Sequence, residues 1–121
     1  MDDRFAGGQL RHFVQPCLLL LLKEEPDYGY DLVARLRPFG VTDSAAVYRA
    51  LRGLEADGAV TSTWRHSAAG PARRMYHLTG EGEATLEEWA ATLAGTKRTV
   101  EGYLVRYAVA QRATHGTIAK G

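Results

Sequence analysis

A single cysteine in 121 residues removes internal disulfides and cysteine-based zinc sites at once. Cys17 stands beside the Leu18–Leu22 run and reads as a small apolar core residue, since apolar surroundings raise a thiol pKa and blunt its reactivity. Long hydrophobic runs are also missing. Val14–Leu22 is too short to cross a bilayer. The chain opens with Asp2 and Asp3 instead of the basic start of a secretion signal, so a cytoplasmic protein with no membrane partner is expected. Net charge is scarce: 15 basic side chains face 14 acidic ones, which excludes a polycation that coats any nucleic acid. Metal-site spacing is absent too. His12, His66, His77 and His115 are scattered, with no HExxH string. Thr79-Gly80-Glu81-Gly82 lacks the lysine and the length of a phosphate loop. No catalytic residue, metal or cofactor is expected, and the chain is long enough for one core only.

The charge that is present is unevenly placed. From Gly58 to Thr79 the chain carries Arg65, Arg73 and Arg74 and no carboxylate, while acidic residues gather in Lys23–Asp27 and Glu81–Glu88. A basic spot of that kind suits phosphate contact. It falls in a β-hairpin pattern: two β-rich runs, Val60–His66 and Arg73–Leu78, flank a small-residue loop, Ser67–Pro71. Just before it, Ser44–Glu55 reads as a helix with an apolar stripe at Val47, Leu51 and Leu54, capped by Asp43 and stopped by Gly58. Its other face carries Ser44, Ala45, Tyr48, Arg49 and Arg52. A polar-faced helix followed by a basic hairpin is the outline of a winged helix-turn-helix and points to duplex DNA.

Around this centre the pattern is helical. Gln9–Lys23 predicts a first helix that either kinks at Pro16 or begins near it. Its leucines are apolar all round, which suggests burial against a partner chain. Asp27 is placed to cap a second helix, from Tyr28 to about Arg37, in which Gly29 permits close approach of a neighbour. Thr79 is placed to cap a helix with a Leu86, Trp89 and Leu93 stripe; a break at Gly95-Thr96 and a last helix from Lys97 to about Val109, with Val100, Leu104 and Tyr107 on one face, complete the chain. The expected organisation is a loose tail over 1–8, a winged helix-turn-helix domain over 9–78, dimerisation helices over 79–109 and a disordered end over 110–121. The fold class is mainly α with a small β-hairpin.

Several strings in this order resemble the PadR family of bacterial transcriptional regulators. They are YGYDL (28–32), VYRALRGLEADGAV (47–60), STW (62–64), GPARRMYHLTGEG (70–82) and LEEW (86–89), and the likeness runs from about Val14 to Tyr107. One departure is Met75, read as lying at the wing tip, where an aromatic is common. The resemblance implies a winged-helix homodimer, usually a repressor, that binds an operator and in many members responds to a small molecule. The short C-terminal part implies no separate effector domain.

On this reading Ser44 and Ala45 enter the major groove first, followed by Tyr48, Arg49 and Arg52. Arg49 and Arg52 take either a guanine or a phosphate. The alternatives are that Tyr48 packs on the wing and that Arg52 pairs with Glu55 or Asp57. In the wing, Arg73 and Arg74 point to opposite faces, one toward the minor groove and the other toward a phosphate or a carboxylate. Arg65 and His66 are further candidates, and Trp64 is expected to pack at the wing's base. Leu18, Leu22, Leu86, Trp89, Leu93 and Leu104 are candidates for a dimer interface, and Trp89 also for a cavity that stacks a planar effector. Two rival functions use the same residues: a winged-helix module that binds protein, and a ligand sensor without DNA binding.

Overall fold

The structure, a computed structural model, describes residues 13–120, so the tail expected over 1–8 lies outside it. Helix α1 spans Val14–Glu24, with Pro16 in its first turn, and the expected stretch over 9–12 lies outside the described residues. There the missing N–H has no helical acceptor to lose, so the proline initiates the helix and does not kink it. Cys17, Leu18, Leu19, Leu21 and Leu22 are buried, while Leu20 is 39% exposed. α1 packs on elements of its own chain: α2 (Gly29–Arg35), α3 (Ser44–Ala56) and strand β3 (Gly70–Leu78). Leu18 and Leu22 are therefore core residues, 0% and 3% exposed, and not the dimer surface they were expected to line. Each such leucine contributes about 2 kcal/mol of burial.

A two-residue strand β1 (Asp27–Tyr28) precedes α2 and pairs with β3, Asp27 opposite Tyr76 and Tyr28 opposite Met75. That pairing draws the backbone into an extended path, so Tyr28 and not Asp27 occupies the N-cap of α2. The Asp27 carboxylate instead accepts from the Tyr28 N–H (2.8 Å) and from Arg35 Nη1 (2.7 Å). α2 ends earlier than Arg37, and Pro38 sits in a short 3-10 turn, Arg37–Phe39, closed by Gly40. Asp43 does cap α3, accepting from the N–H groups of Ala45 and Ala46 at 3.0 and 3.3 Å. Val47, Leu51 and Leu54 face the core, and Gly58, at φ 82°, ends the segment in the left-handed region that suits glycine.

The hairpin is longer and tighter than its sequence pattern suggests. β2 (Val60–Ser67) and β3 meet through Ala68-Ala69 alone, because the Ser67 hydroxyl accepts the Ala69 N–H and closes the turn. Arg65 pairs with Arg73 and Ser67 with Gly70, which leaves His66 opposite both Pro71 and Ala72. This bulge accommodates a proline within a strand, since the ladder is interrupted there anyway. Met75 lies mid-strand, opposite Thr63, and not at the wing tip. The three strands form one antiparallel sheet in the order β1-β3-β2.

Helix α4 runs from Gly80 to Lys120. The Thr79 hydroxyl accepts from the Gly82 N–H (3.0 Å) and lies 2.6 Å from the Gly58 carbonyl oxygen, joining the helix to the end of α3. Lys23 adds an ion pair to Glu83 at 2.7 Å. Neither the break expected at Gly95-Thr96 nor the loose end expected after Val109 interrupts α4. Thr96 Oγ1 donates to Thr92 O and Thr99 Oγ1 to Gly95 O, each at 3.2 Å, so both hydroxyls are satisfied without leaving the helix.

The chain divides into two compact units between Glu88 and Trp89. The first holds the winged helix-turn-helix, its core built on Leu18, Leu19, Leu32, Leu36, Val47, Leu51 and Val60. The second is the remainder of α4, on which Val100, Leu104 and Tyr107 are 42%, 55% and 53% exposed. No helix among the described residues is long and apolar enough to cross a membrane.

Candidate nucleic-acid interface

The outward face of α3 is set by its core stripe: with Val47, Leu51 and Leu54 turned inward, Ser44, Ala45, Tyr48, Arg49 and Arg52 are all exposed. Arg49 comes within 4.0 Å of Asp43, a contact at the limit of an ion pair between two exposed groups, which holds it weakly. Arg52 pairs with neither Glu55 nor Asp57. It has no ion pair among the described residues. Tyr48 lies over Gly29, with its Cε1 3.0 Å from where a side-chain carbon would stand. A side chain at Gly29 would press on the Tyr48 ring, so glycine eases the close approach of α2 and α3, the packing role read from the sequence.

Strand alternation separates the wing arginines. Arg73 lies opposite Arg65 on one face, and Arg74 lies opposite Trp64 on the other. Arg73 rests with its guanidinium carbon 5.8 Å above the Tyr28 ring. Arg65 and Arg73, like charges directly opposite each other, would repel in an isolated sheet, and no carboxylate among the described residues pairs with either. With His66 and Tyr28 they wall a cavity of about 400 Å³ at the wing tip.

Arg74, although partly exposed, is tied to partners of its own chain. Its Nε donates to Ser62 Oγ (2.8 Å), its Nη2 to Glu55 Oε1 (3.4 Å), and Ser62 in turn donates to Glu55 Oε2 (2.7 Å). The guanidinium also lies 5.6 Å from the Trp64 ring and 6.0 Å from that of Tyr76. Glu55 therefore serves the wing and not Arg52. Trp64, expected to pack at the base, is 59% exposed and acts as a platform for Arg74. Burial pushes the Tyr76 hydroxyl above its ordinary pKa, opposed by Arg74 and reinforced by Glu55, so it is a neutral group near pH 7.

Between these two surfaces lies a second cavity of about 470 Å³, walled by Tyr28, Tyr30, Tyr48 and Tyr76 together with Gly29, Arg73 and Arg74. Tyr28 and Ser62 were not singled out as site residues from the sequence, Glu55 was weighed only as a partner for Arg52, and Tyr30, read as part of the apolar stripe of the second helix, is 76% exposed. The signal for Tyr28 and Tyr30 was available in the Tyr-Gly-Tyr string, where two aromatics flank a residue chosen for close approach. Of the other expected positions, Leu86, Trp89 and Leu93 are half-buried and Leu104 is exposed. No group of His, Cys, Asp or Glu side chains fit to hold a metal ion occurs among the described residues.

Three core helices, the third of them a capped recognition-type helix, and a two-stranded arginine-bearing wing define a winged helix-turn-helix protein. The family model for the PadR-like family of transcriptional regulators matches residues 18–88, and the chain belongs to that family. It is 32% identical to a PadR-like transcription factor from Bacteroides fragilis, with a TM-score of 0.67 over 79% of this chain and 95% of that one. A PadR-like transcriptional regulator from Bacillus cereus is 28% identical, with a TM-score of 0.69 over 79% and 95%. Bacillus subtilis PadR in complex with operator DNA shares the fold, at 23% identity and a TM-score of 0.60 over 65% of this chain and 47% of that one. No curated protein matches the chain.

Proposed function

We propose that the chain is a sequence-specific DNA-binding regulator, a cytoplasmic homodimeric repressor that places one α3 per subunit in successive major grooves of an inverted repeat. The observation that carries this reading is the Arg65–Arg73 pair, two cations side by side on one face of the wing with no carboxylate to neutralise them. An anion between them relieves the repulsion, and a duplex that receives Arg49 and Arg52 of α3 presents phosphates to the adjoining wing. The B. subtilis relative, solved with operator DNA, supports the same use of this fold. The protein acts by binding and not by catalysis.

The half-sites are expected about one helical turn, ~34 Å, or a multiple of it apart. The exposed apolar row Val100, Leu104 and Tyr107 supports pairing through α4, because such a stripe on a helix calls for a partner. A small-molecule effector is part of the proposal, with the half-buried Trp89 as the candidate residue to stack it. The test is selection of genomic fragments on the purified protein, followed by titration of the best fragment against salt. Recovery of one inverted repeat with a steep salt dependence supports the reading. A shallow slope with no sequence preference favours a protein-binding module instead.

A further inference from the structure

The groove between α3 and the wing has features that DNA reading by α3 does not require. It is assembled from four elements: Tyr28 from β1, Tyr30 from α2, Tyr48 from α3, and Arg73 and Tyr76 from β3. The polar groups these walls offer are phenol hydroxyls and guanidinium N–H groups, all able to donate, and no carboxylate lines the cavity. The nearest acid in the network, Glu55, is already bonded to Ser62 and Arg74. Tyr30 is the most conspicuous member. It is 76% exposed and makes no hydrogen bond or ring contact among the described residues, so nothing inside the fold accounts for a large aromatic there. Arg73 rests on a ring and not on an acid, a contact it can leave at small cost.

On the DNA-binding reading, position sets what such a groove faces. Tyr48 is on the outward face of α3 and Arg73 is on the wing, so a duplex that touches both elements passes over the groove between them. What a duplex presents along that path is its sugar-phosphate backbone. We propose that this groove seats one backbone phosphodiester of the bound duplex, with Arg73 and the Tyr30 hydroxyl donating to its oxygens and Tyr28 and Tyr48 packing on the adjoining sugar. A volume of about 470 Å³ exceeds a phosphate alone and leaves room for that sugar. The seat rests on the DNA-binding reading and adds to it an anchor outside α3. It fixes the register of the protein on the duplex without reading a base.

The test uses the full chain and the duplex that it selects, synthesised with a neutral methylphosphonate at one position at a time. Affinities are measured for the unaltered protein, Tyr30→Phe and Arg73→Gln. In the unaltered protein one phosphate per half-site should weaken binding about tenfold when neutralised, the size of one charge-assisted hydrogen-bond set. At that one position the effect should be largely lost in Arg73→Gln and reduced in Tyr30→Phe, while the other positions keep theirs. Arg73→Gln should also lower the salt slope by about 0.9 per subunit, and Tyr30→Phe should leave the slope unchanged. A position-by-position profile that is the same in Tyr30→Phe as in the unaltered protein overturns the seat while leaving DNA binding intact. Failure of the unaltered protein to select any duplex removes the DNA reading itself, a distinct result. A third arm adds a deoxynucleoside monophosphate at constant ionic strength. Saturable binding of it that Tyr30→Phe abolishes, with the duplex profile unaltered, would assign the groove to a free phosphate ester and overturn the proposal.

Discussion

Glu55 on the last turns of α3 reaches Arg74 in the wing at 3.4 Å, and Ser62 bridges the same two groups at 2.7 and 2.8 Å. This fastening fixes the angle between α3 and the wing. Glu55→Gln should release the Arg74 charge and steepen the salt dependence of nonspecific DNA binding by up to about 0.9 per subunit. The ratio of specific to nonspecific affinity should fall with it. Arg74→Ala should lower folding stability by about 1 kcal/mol, the value of a partly exposed charged hydrogen-bond set. An unchanged slope in Glu55→Gln would show that Arg74 stays in place without its carboxylate.

Arg49 and Arg73 differ in what lies in reach. Arg49→Ala should weaken binding to the selected operator more than to random duplex, by about 1–3 kcal/mol if its guanidinium takes a guanine. Arg73→Ala should weaken both alike. Parallel titrations on the two DNAs check this, and equal losses for both variants would contradict the division.

Gly82 and Gly80 provide a contrast in one turn of α4. A side-chain carbon at Gly82 would overlap the Ala59 carbonyl oxygen and press on Leu78, whereas one at Gly80 would meet nothing within 4 Å. Gly82→Ala should cost about 3 kcal/mol in urea denaturation, at the upper end of ordinary overpacking. Gly80→Ala should be neutral or stabilising by up to about 1 kcal/mol.

Burial pushes the Cys17 thiol from 9.0 to about 11. Between those values the unfolded chain has released the proton that the native chain retains, so the native state binds more protons and stability falls as pH rises through the window. At pH 7 the group contributes no pH dependence. The urea midpoint should therefore drop more from pH 8 to pH 10 in the unaltered protein than in Cys17→Ala. Thiol reagents at pH 8 should label Cys17 only when urea unfolds the chain.

The row Val100, Leu104 and Tyr107 should mediate self-association. Leu104→Glu should shift sedimentation from dimer to monomer with helix content preserved, and operator affinity should fall steeply. A dimer that survives this change would move the interface elsewhere.

What the sequence made legible were features with local causes. Asp43 capping α3, Gly58 ending it, the Val47, Leu51 and Leu54 stripe and Thr79 before α4 each depend on neighbours a few residues away. Partner choice between distant segments was not legible. Glu55 has Arg52 on its own helix and takes Arg74, 19 residues on, because the sheet carries that guanidinium to it. The all-apolar α1 suggested a second chain, yet its cover comes from α2, α3 and β3, which no periodicity in α1 can reveal. Asp27 fits a cap by residue type, and only the pairing of β1 with Tyr76 and Met75 displaces it. Gly95 looked like a stop, but one glycine costs a long helix only about 1 kcal/mol.

Strand parity ties the wing's outward chemistry to the domain's interior. Tyr76 is buried, which commits Arg74, two residues earlier, to the same side of the sheet and Arg73 to the reverse side. A slip of one residue would exchange the two guanidinium groups, but it would also turn Tyr76 to water and His77 into the core. Which of the two arginines is tied to an internal carboxylate, and which is left without one, is thus decided by the side of the sheet on which the Tyr76 ring is buried.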